Sequence, residues 1–181
     1  MTSASVCPCR IQPAISPVLN DTDQPQLQQQ QNLAYADCCQ PLHQGTAYAK
    51  TAEQLMRSRY SAFVMCLTDY IVDTTVPAQQ ASLDKSSIER WAKETQWAGL
   101  QILQHRPKLG KRHAQVEFNA YFHHLDQGTL ALDAHHELSG FVLIDNKWYF
   151  LDPTVTMPVT QKQPCICGSG EKFKRCCGPF I

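Results

Sequence analysis

One cysteine word stands at both ends of this chain. The tail reads Cys165-Ile166-Cys167, then Cys176-Cys177, and the start reads Cys7-Pro8-Cys9, then Cys38-Cys39. A C-x-C followed by a C-C brings four thiols within reach of one ion, and soft thiolates suit a tetrahedral zinc site that needs no ligand from elsewhere. In the tail, eight residues separate Cys167 from Cys176. Gly168 and Gly170 within that loop can take positive φ and aim backbone N–H groups at the sulfurs. Four thiolates around a divalent cation leave negative charge in excess, and Lys172, Lys174 and Arg175 stand where they can offset it.

At the other end 28 residues separate Cys9 from Cys38, and the excess, about 11–32, is rich in Gln, Asp and Pro, with Gln28 to Gln31 in a row. Such a composition cannot bury a core and reads as a disordered insertion. Lengthening a closed loop this much costs only about 1 kcal/mol of closure entropy, so the first site can survive it. A disulfide framework is the alternative. Against it, Met1 to Val6 shows neither a basic start nor an apolar run, so no secretory signal or membrane insertion is expected. A reducing cytoplasm follows, where paired cysteines are more often metal ligands than bridges. The ninth cysteine, Cys66, falls on an apolar helical stripe and is expected in the core.

The chain has 181 residues, 43% of them hydrophobic, enough for one cored domain with small appendages. Its 16 basic and 16 acidic side chains cancel, which argues against a protein that grips nucleic acid mainly by charge. Only the basic tail, from Thr160 to Ile181, could touch RNA or an acidic partner.

Between the cysteine words the pattern is helical, then β. Thr51-Ala52-Glu53-Gln54 has the form of a capping box, and apolar positions from Ala52 to Leu67 recur at helical spacing. Asp69 is expected to cap a short helix that runs through Val72 and stops at Pro77, and Ser86 with Glu89 to open another. Strands follow at Gly99 to His105, Arg112 to Leu125, Thr129 to Leu143 and Lys147 to Asp152. Helices followed by antiparallel strands make an α+β domain, and the pattern from about Thr51 to Pro158 presents a self-sufficient core. Alternation in the second strand puts Ala114, Val116, Phe118, Ala120 and Phe122 on the core face. A three-residue loop Asp126-Gln127-Gly128 would set Phe118 opposite His136 and Glu117 opposite Glu137, with a bulge at Ser139-Gly140 to restore phase. His136 would then be buried beside Trp91, Trp97 and Phe118 as a possible pocket. Glu117, Tyr121, His123, Asp133, His135 and Glu137 would share the outer face. Arg59, near the buried stripe, is the candidate for an ion pair with a sheet carboxylate.

Several stretches together resemble the YchJ-like proteins: Tyr35-Ala36-Asp37-Cys38-Cys39-Gln40-Pro41-Leu42-His43, the run from Thr51 to Phe63, Trp97 with Gly99-Leu100, His136-Glu137, Trp148-Tyr149, and the tail. The first cysteine word lacks the Gly-Ser-Gly of the second. The resemblance implies a cone-shaped domain like nuclear transport factor 2, with N-terminal helices packed on a curved antiparallel sheet, and SEC-C metal-binding motifs at both termini. It implies zinc and protein binding and brings no catalytic residue. The expected units are 1–45, 46–159 and 160–181. The expected ligands are Cys165, Cys167, Cys176 and Cys177 in the tail, with Cys7, Cys9, Cys38 and Cys39 at the start. The expected role is a small cytoplasmic adaptor that docks a protein or ribonucleoprotein partner through its knuckles. The alternative is a cone-fold enzyme or small-molecule binder built around His136.

Overall fold

The computed structural model describes residues 5–13 and 32–181. Five helices come first: α1 Gln40–His43, α2 Ala52–Val64, α3 Thr68–Asp73, α4 Pro77–Gln80 and α5 Lys85–Glu94. Four strands follow, β1 Gln96–Leu109, β2 His113–Asp126, β3 Thr129–Ile144 and β4 Lys147–Leu151, in one antiparallel sheet of order β1-β2-β3-β4. The chain therefore is α+β, with helices packed on a curved sheet and a cysteine cluster at each end.

Local chemistry sets the helix ends. Thr51 Oγ1 accepts from the Gln54 N–H at 3.1 Å, while the Gln54 side chain reaches back to the Lys50 N–H at 2.7 Å, a capping exchange displaced by one residue. The far end of α2 stops earlier than periodicity suggests. Cys66 takes φ +55°, its N–H donates to the Phe63 carbonyl at 3.1 Å, and the Leu67 N–H reaches the Ala62 carbonyl at 2.8 Å. That is a Schellman closure with cysteine at the left-handed position, so Cys66 is half-buried in a turn and not a core residue. Two other helix starts differ from expectation. Asp69 makes no cap, since α3 begins at Thr68 after Leu67, and α5 is capped by Asp84, whose Oδ1 accepts from the Ser86 and Ser87 N–H groups at 3.0 and 3.1 Å. Pro77 opens α4, at the first-turn position where its missing N–H is harmless.

The main correction concerns the sheet register. β2 and β3 are joined by a two-residue turn, Gln127-Gly128, with φ of +48° and +83°, and Asp126 pairs with Thr129. Pairing then runs without a slip to His113 opposite Val142. No bulge occurs at Ser139-Gly140; the irregularities lie in β1, between Trp97 and Gly99, Ile102 and Gln104, and Arg106 and Leu109. Phe118 consequently pairs with Glu137, and Asn119 with His136. One residue of register moves every β3 side chain to the other face. His136 lies outside, its side chain 56% exposed and its Nε2 3.0 Å from Glu117 Oε1. Asp133, His135 and Glu137 leave the outer face and share the concave one with Phe118 and Ala120. The β3–β4 turn has the expected two residues, Asp145-Asn146, with Leu143 opposite Trp148 and Phe141 opposite Phe150.

The core has two parts. The larger gathers Leu55, Met56 and Tyr60 of α2 with Leu100, Val116, Phe118, Phe141 and Phe150 of the sheet, and it includes Cys7, Cys9 and Cys39. The smaller joins Val76, Val142 and Leu151 to all four tail cysteines and Phe173. Since Val142 and Leu151 alternate with Phe141 and Phe150 along their strands, the tail lies on the opposite sheet face.

Candidate metal centres

Each terminal cluster is built by two short turns that face one another. At the start, 3-10 turns at Pro8–Arg10 and Tyr35–Asp37 present the C-x-C and C-C halves. An antiparallel bridge between Val6 and Ala34 holds them together, with the Cys7 N–H on the Leu33 carbonyl at 2.8 Å. At the tail, a bridge between Pro164 and Lys172 and a turn at Phe173–Arg175 do the same. Gly168 and Gly170 take φ of +74° and +76° there.

Within each cluster the four sulfurs all lie within 4.8 Å of one another. Cys9 Sγ is 3.6 Å from the sulfurs of Cys7, Cys38 and Cys39, Cys38 and Cys39 are 3.9 Å apart, and Cys167 and Cys176 are 3.5 Å apart. A disulfide would bring a pair to about 2 Å. Thiolates at about 2.3 Å from a tetrahedral ion stand about 3.8 Å apart, so the donor sets fit a metal ion and not bridges. All nine cysteines are free.

Electrostatics agree. Four buried thiols cannot all ionise together without a cation. Hydrogen bonding from Cys39 pulls the Cys38 thiol down, and the same interaction pushes Cys39 up. Burial drives Cys177 upward and lifts Cys176 to about 12, whereas at Cys167 burial is outweighed by hydrogen bonds from Ser169, Cys176 and Cys165 together, which lower it. A divalent ion removes this conflict by stabilising every thiolate at once.

The surroundings of the clusters were not legible as site residues. Ser61 of α2 sits 3.5 Å from Cys7 Sγ and accepts the Cys9 N–H at 3.1 Å, and Arg57 donates to the Cys9 carbonyl at 3.1 Å. His43 donates from Nε2 to the Ser58 carbonyl at 2.9 Å, which leaves Nδ1 to accept from the Tyr35 hydroxyl at 2.9 Å. Behind the tail cluster, His113 Nε2 lies 3.4 Å from Cys177 Sγ and 3.8 Å from Cys176 Sγ. Gly99 and Gly140 mark close approaches: a Cβ on Gly99 would meet the Ile11 carbonyl at 2.9 Å, and one on Gly140 the Phe180 carbonyl at 2.4 Å. Residues 11–13 thus pack on β1 and are no part of a loose insertion; most of 11–32 lies outside the described residues.

The expected pocket is only partly assembled as expected. Trp91, Trp97 and Phe118 line a cavity of about 380 Å³ between the helices and the concave sheet face, but His136 does not; His135 and Glu137 do. Arg59 also lines it and forms no ion pair with a sheet carboxylate among the described residues. A two-residue reading of Gln127-Gly128 was the signal that would have found them.

The family description "YchJ, middle NTF2-like domain" matches residues 51–153, and "SEC-C motif" matches 162–179. A UPF0225 protein of Actinobacillus succinogenes is 53% identical over 152 residues, covering 84% of this chain and 96% of the relative. A UPF0225 protein of Haemophilus influenzae strain Rd is 52% identical over 147 residues, 81% of this chain and 88% of the relative. A crystal structure of a SEC-C motif containing protein from Psychrobacter arcticus superposes with a TM-score of 0.84 at 58% identity, over 97% of each chain. The solution structure of a SEC-C motif containing protein from Rhodopseudomonas palustris gives 0.60 at 36% identity, over 67% of this chain and 91% of that one. No helix of the described residues is long and apolar enough to cross a membrane.

Proposed function

Because this chain belongs to the YchJ family, with the family's middle domain set between two cysteine clusters, we propose that it is a cytoplasmic zinc protein that docks an acidic protein partner through its C-terminal knuckle. The charge of the knuckle rim carries this reading. Lys172, Lys174 and Arg175 are exposed around the cluster, and Lys111 and Arg112 flank the adjacent groove, against the single acid Glu171. Such a rim steers and orients an acidic surface; a ribonucleoprotein would use the same cations. Zinc is the ion that four thiolates with tetrahedral spacing suit best. Four protein ligands leave no open position for a substrate, so the knuckles bind and do not catalyse.

A second reading has its own support. Cys7, Cys9, Cys39 and all four tail cysteines belong to core clusters, so the knuckles also brace the cone. One experiment separates the roles. A triple variant Lys172→Ser, Lys174→Ser, Arg175→Ser keeps every cysteine and the Phe173 packing. Affinity isolation at saturating zinc is expected to lose partners with this variant while the zinc content of the isolated protein stays unchanged. An unchanged partner set would sink the docking role and leave the brace.

A further inference from the structure

The knuckles do not account for the cavity under α2 and α5. Its wall is aromatic. Tyr60, Phe63, Trp91 and Trp97 meet edge-on or tilted at centroid distances of 5.0–5.8 Å, and Phe118 and Phe150 close the sheet side. Such a surface takes an apolar, ring-bearing body.

The far end is polar, and its centre is Arg59. This side chain is only 5% exposed, with its guanidinium carbon 4.3 Å over the Phe150 ring. Its Nη1 donates to the Ile71 carbonyl at 2.6 Å and to the hydroxyls of Thr74 and Thr75 at 2.8 and 3.3 Å. Nε and Nη2 meet no acceptor among the described residues, and Arg59 is one of the residues that line the cavity. A buried cation with open donors calls for an acceptor.

The neighbouring charges decide which acceptor. Glu137 and Asp152 both act on the guanidinium through space, but no carboxylate comes within 4.0 Å of it among the described residues. Glu137 is itself occupied, accepting from His135 Nε2 at 3.1 Å and from the Ser139 hydroxyl. At a pH above the raised titration of His135, one cation faces two anions, so an anionic head group is opposed, and a cationic one meets Arg59. A neutral oxygen meets neither objection.

We propose that the cone cavity binds a neutral, ring-bearing small molecule through a carbonyl oxygen, which accepts from the open Nε and Nη2 donors of Arg59 while the rings lie against Trp91 and Trp97. The site is separate from both knuckles, so it stands or falls independently of the docking role.

Three probes share one ring system and differ in the head group: 2-acetylnaphthalene, 2-ethylnaphthalene and 2-naphthoate. Titrated into the metal-loaded full chain at pH 8 and followed by the indole N–H resonances of Trp91 and Trp97, the ketone is expected to bind about tenfold more tightly than either other probe. Arg59→Met should bring the ketone down to the hydrocarbon. Since that variant removes a buried charge and its packing, Glu137→Gln provides an independent arm: it should strengthen 2-naphthoate several-fold and leave 2-ethylnaphthalene unchanged. Equal binding of ketone and hydrocarbon, tightest binding of the carboxylate to the unaltered protein, no binding of any probe up to its solubility limit, or no response of the carboxylate to Glu137→Gln would each overturn the proposal.

Discussion

At the residue scale, His113 shows how a side chain outside a ligand set can govern it. The ring is buried, stacked on Phe180 at 4.5 Å and 13°, and its Nε2 faces Cys177 Sγ. Burial, with Arg112 nearby, lowers its pKa, and in the tautomer that carries its proton on Nε2 the ring donates to the sulfur. A hydrogen bond of this kind stabilises the sulfur and fixes its direction. His113→Ala is expected to weaken metal binding about 10–100-fold, read by competition with a chromogenic chelator, and His113→Gln, which keeps a donor, should recover much of it. Equal affinity in all three proteins would make His113 a packing residue only. Ser61 stands in a similar relation to Cys7, from a helix that the cysteine spacing does not mention. The cysteine clusters could be read from the sequence because the same C-x-C and C-C words recur at both ends; the side chains that contact them come from residues 52 and 64 positions away.

At the scale of elements, β3 carries both the pH response and the error in the sequence-based expectation. Hydrogen bonding to Glu137 raises His135, while hydrogen bonds from His135 and Ser139 outweigh burial and lower Glu137. The raised imidazole contributes stability in full below its ordinary value of 6.5 and loses it as pH rises through the folded value. The lowered carboxylate contributes in full above its ordinary 4.5 and loses it as pH falls through the folded value. Both are in force from pH 4.5 to 6.5. The difference in urea midpoint between the unaltered protein and Glu137→Gln should therefore peak in that window; a difference that is flat with pH would show the pair is uncoupled. The strands and the face of β2 were legible because Ala114 to Phe122 alternate cleanly. The faces of β3 were not. Its outer positions Leu130, Leu132, Ala134 and Leu138 are more apolar than its inner Asp133, His135 and Glu137, because the inner face lines a cavity and not a packed core. Hydrophobic alternation then points the wrong way, and only the turn length sets the register. The two-residue turn at Asp145-Asn146, between Leu143 and Trp148 in a packed region, was readable for the converse reason.

At the scale of the whole molecule, both termini pack into the cores of the middle domain. The N-terminal knuckle fills the same core as Leu55, Tyr60 and Leu100, and the tail covers Val142 and Leu151. A fragment spanning 51–158 would expose both surfaces, so it should unfold at a lower urea midpoint than the full chain. Stripping metal from the full chain under reducing conditions should shift it in the same direction, since binding that exists only in the folded state adds to stability. A midpoint indifferent to chelation would mean that the knuckles pack without metal. The tied neck of the first knuckle has one more consequence. Ser5 and Tyr35, Val6 and Ala34, and Cys7 and Leu33 are held to one another, so residues 5–7 and 33–35 close a fixed gate on the chain that joins them. Doubling a loop closed in this way costs only about 0.6 kcal/mol. That gate is a port for protein engineering: an epitope spliced between residues 13 and 32 should leave metal content and the urea midpoint unchanged, giving a reporter that occupies neither terminus.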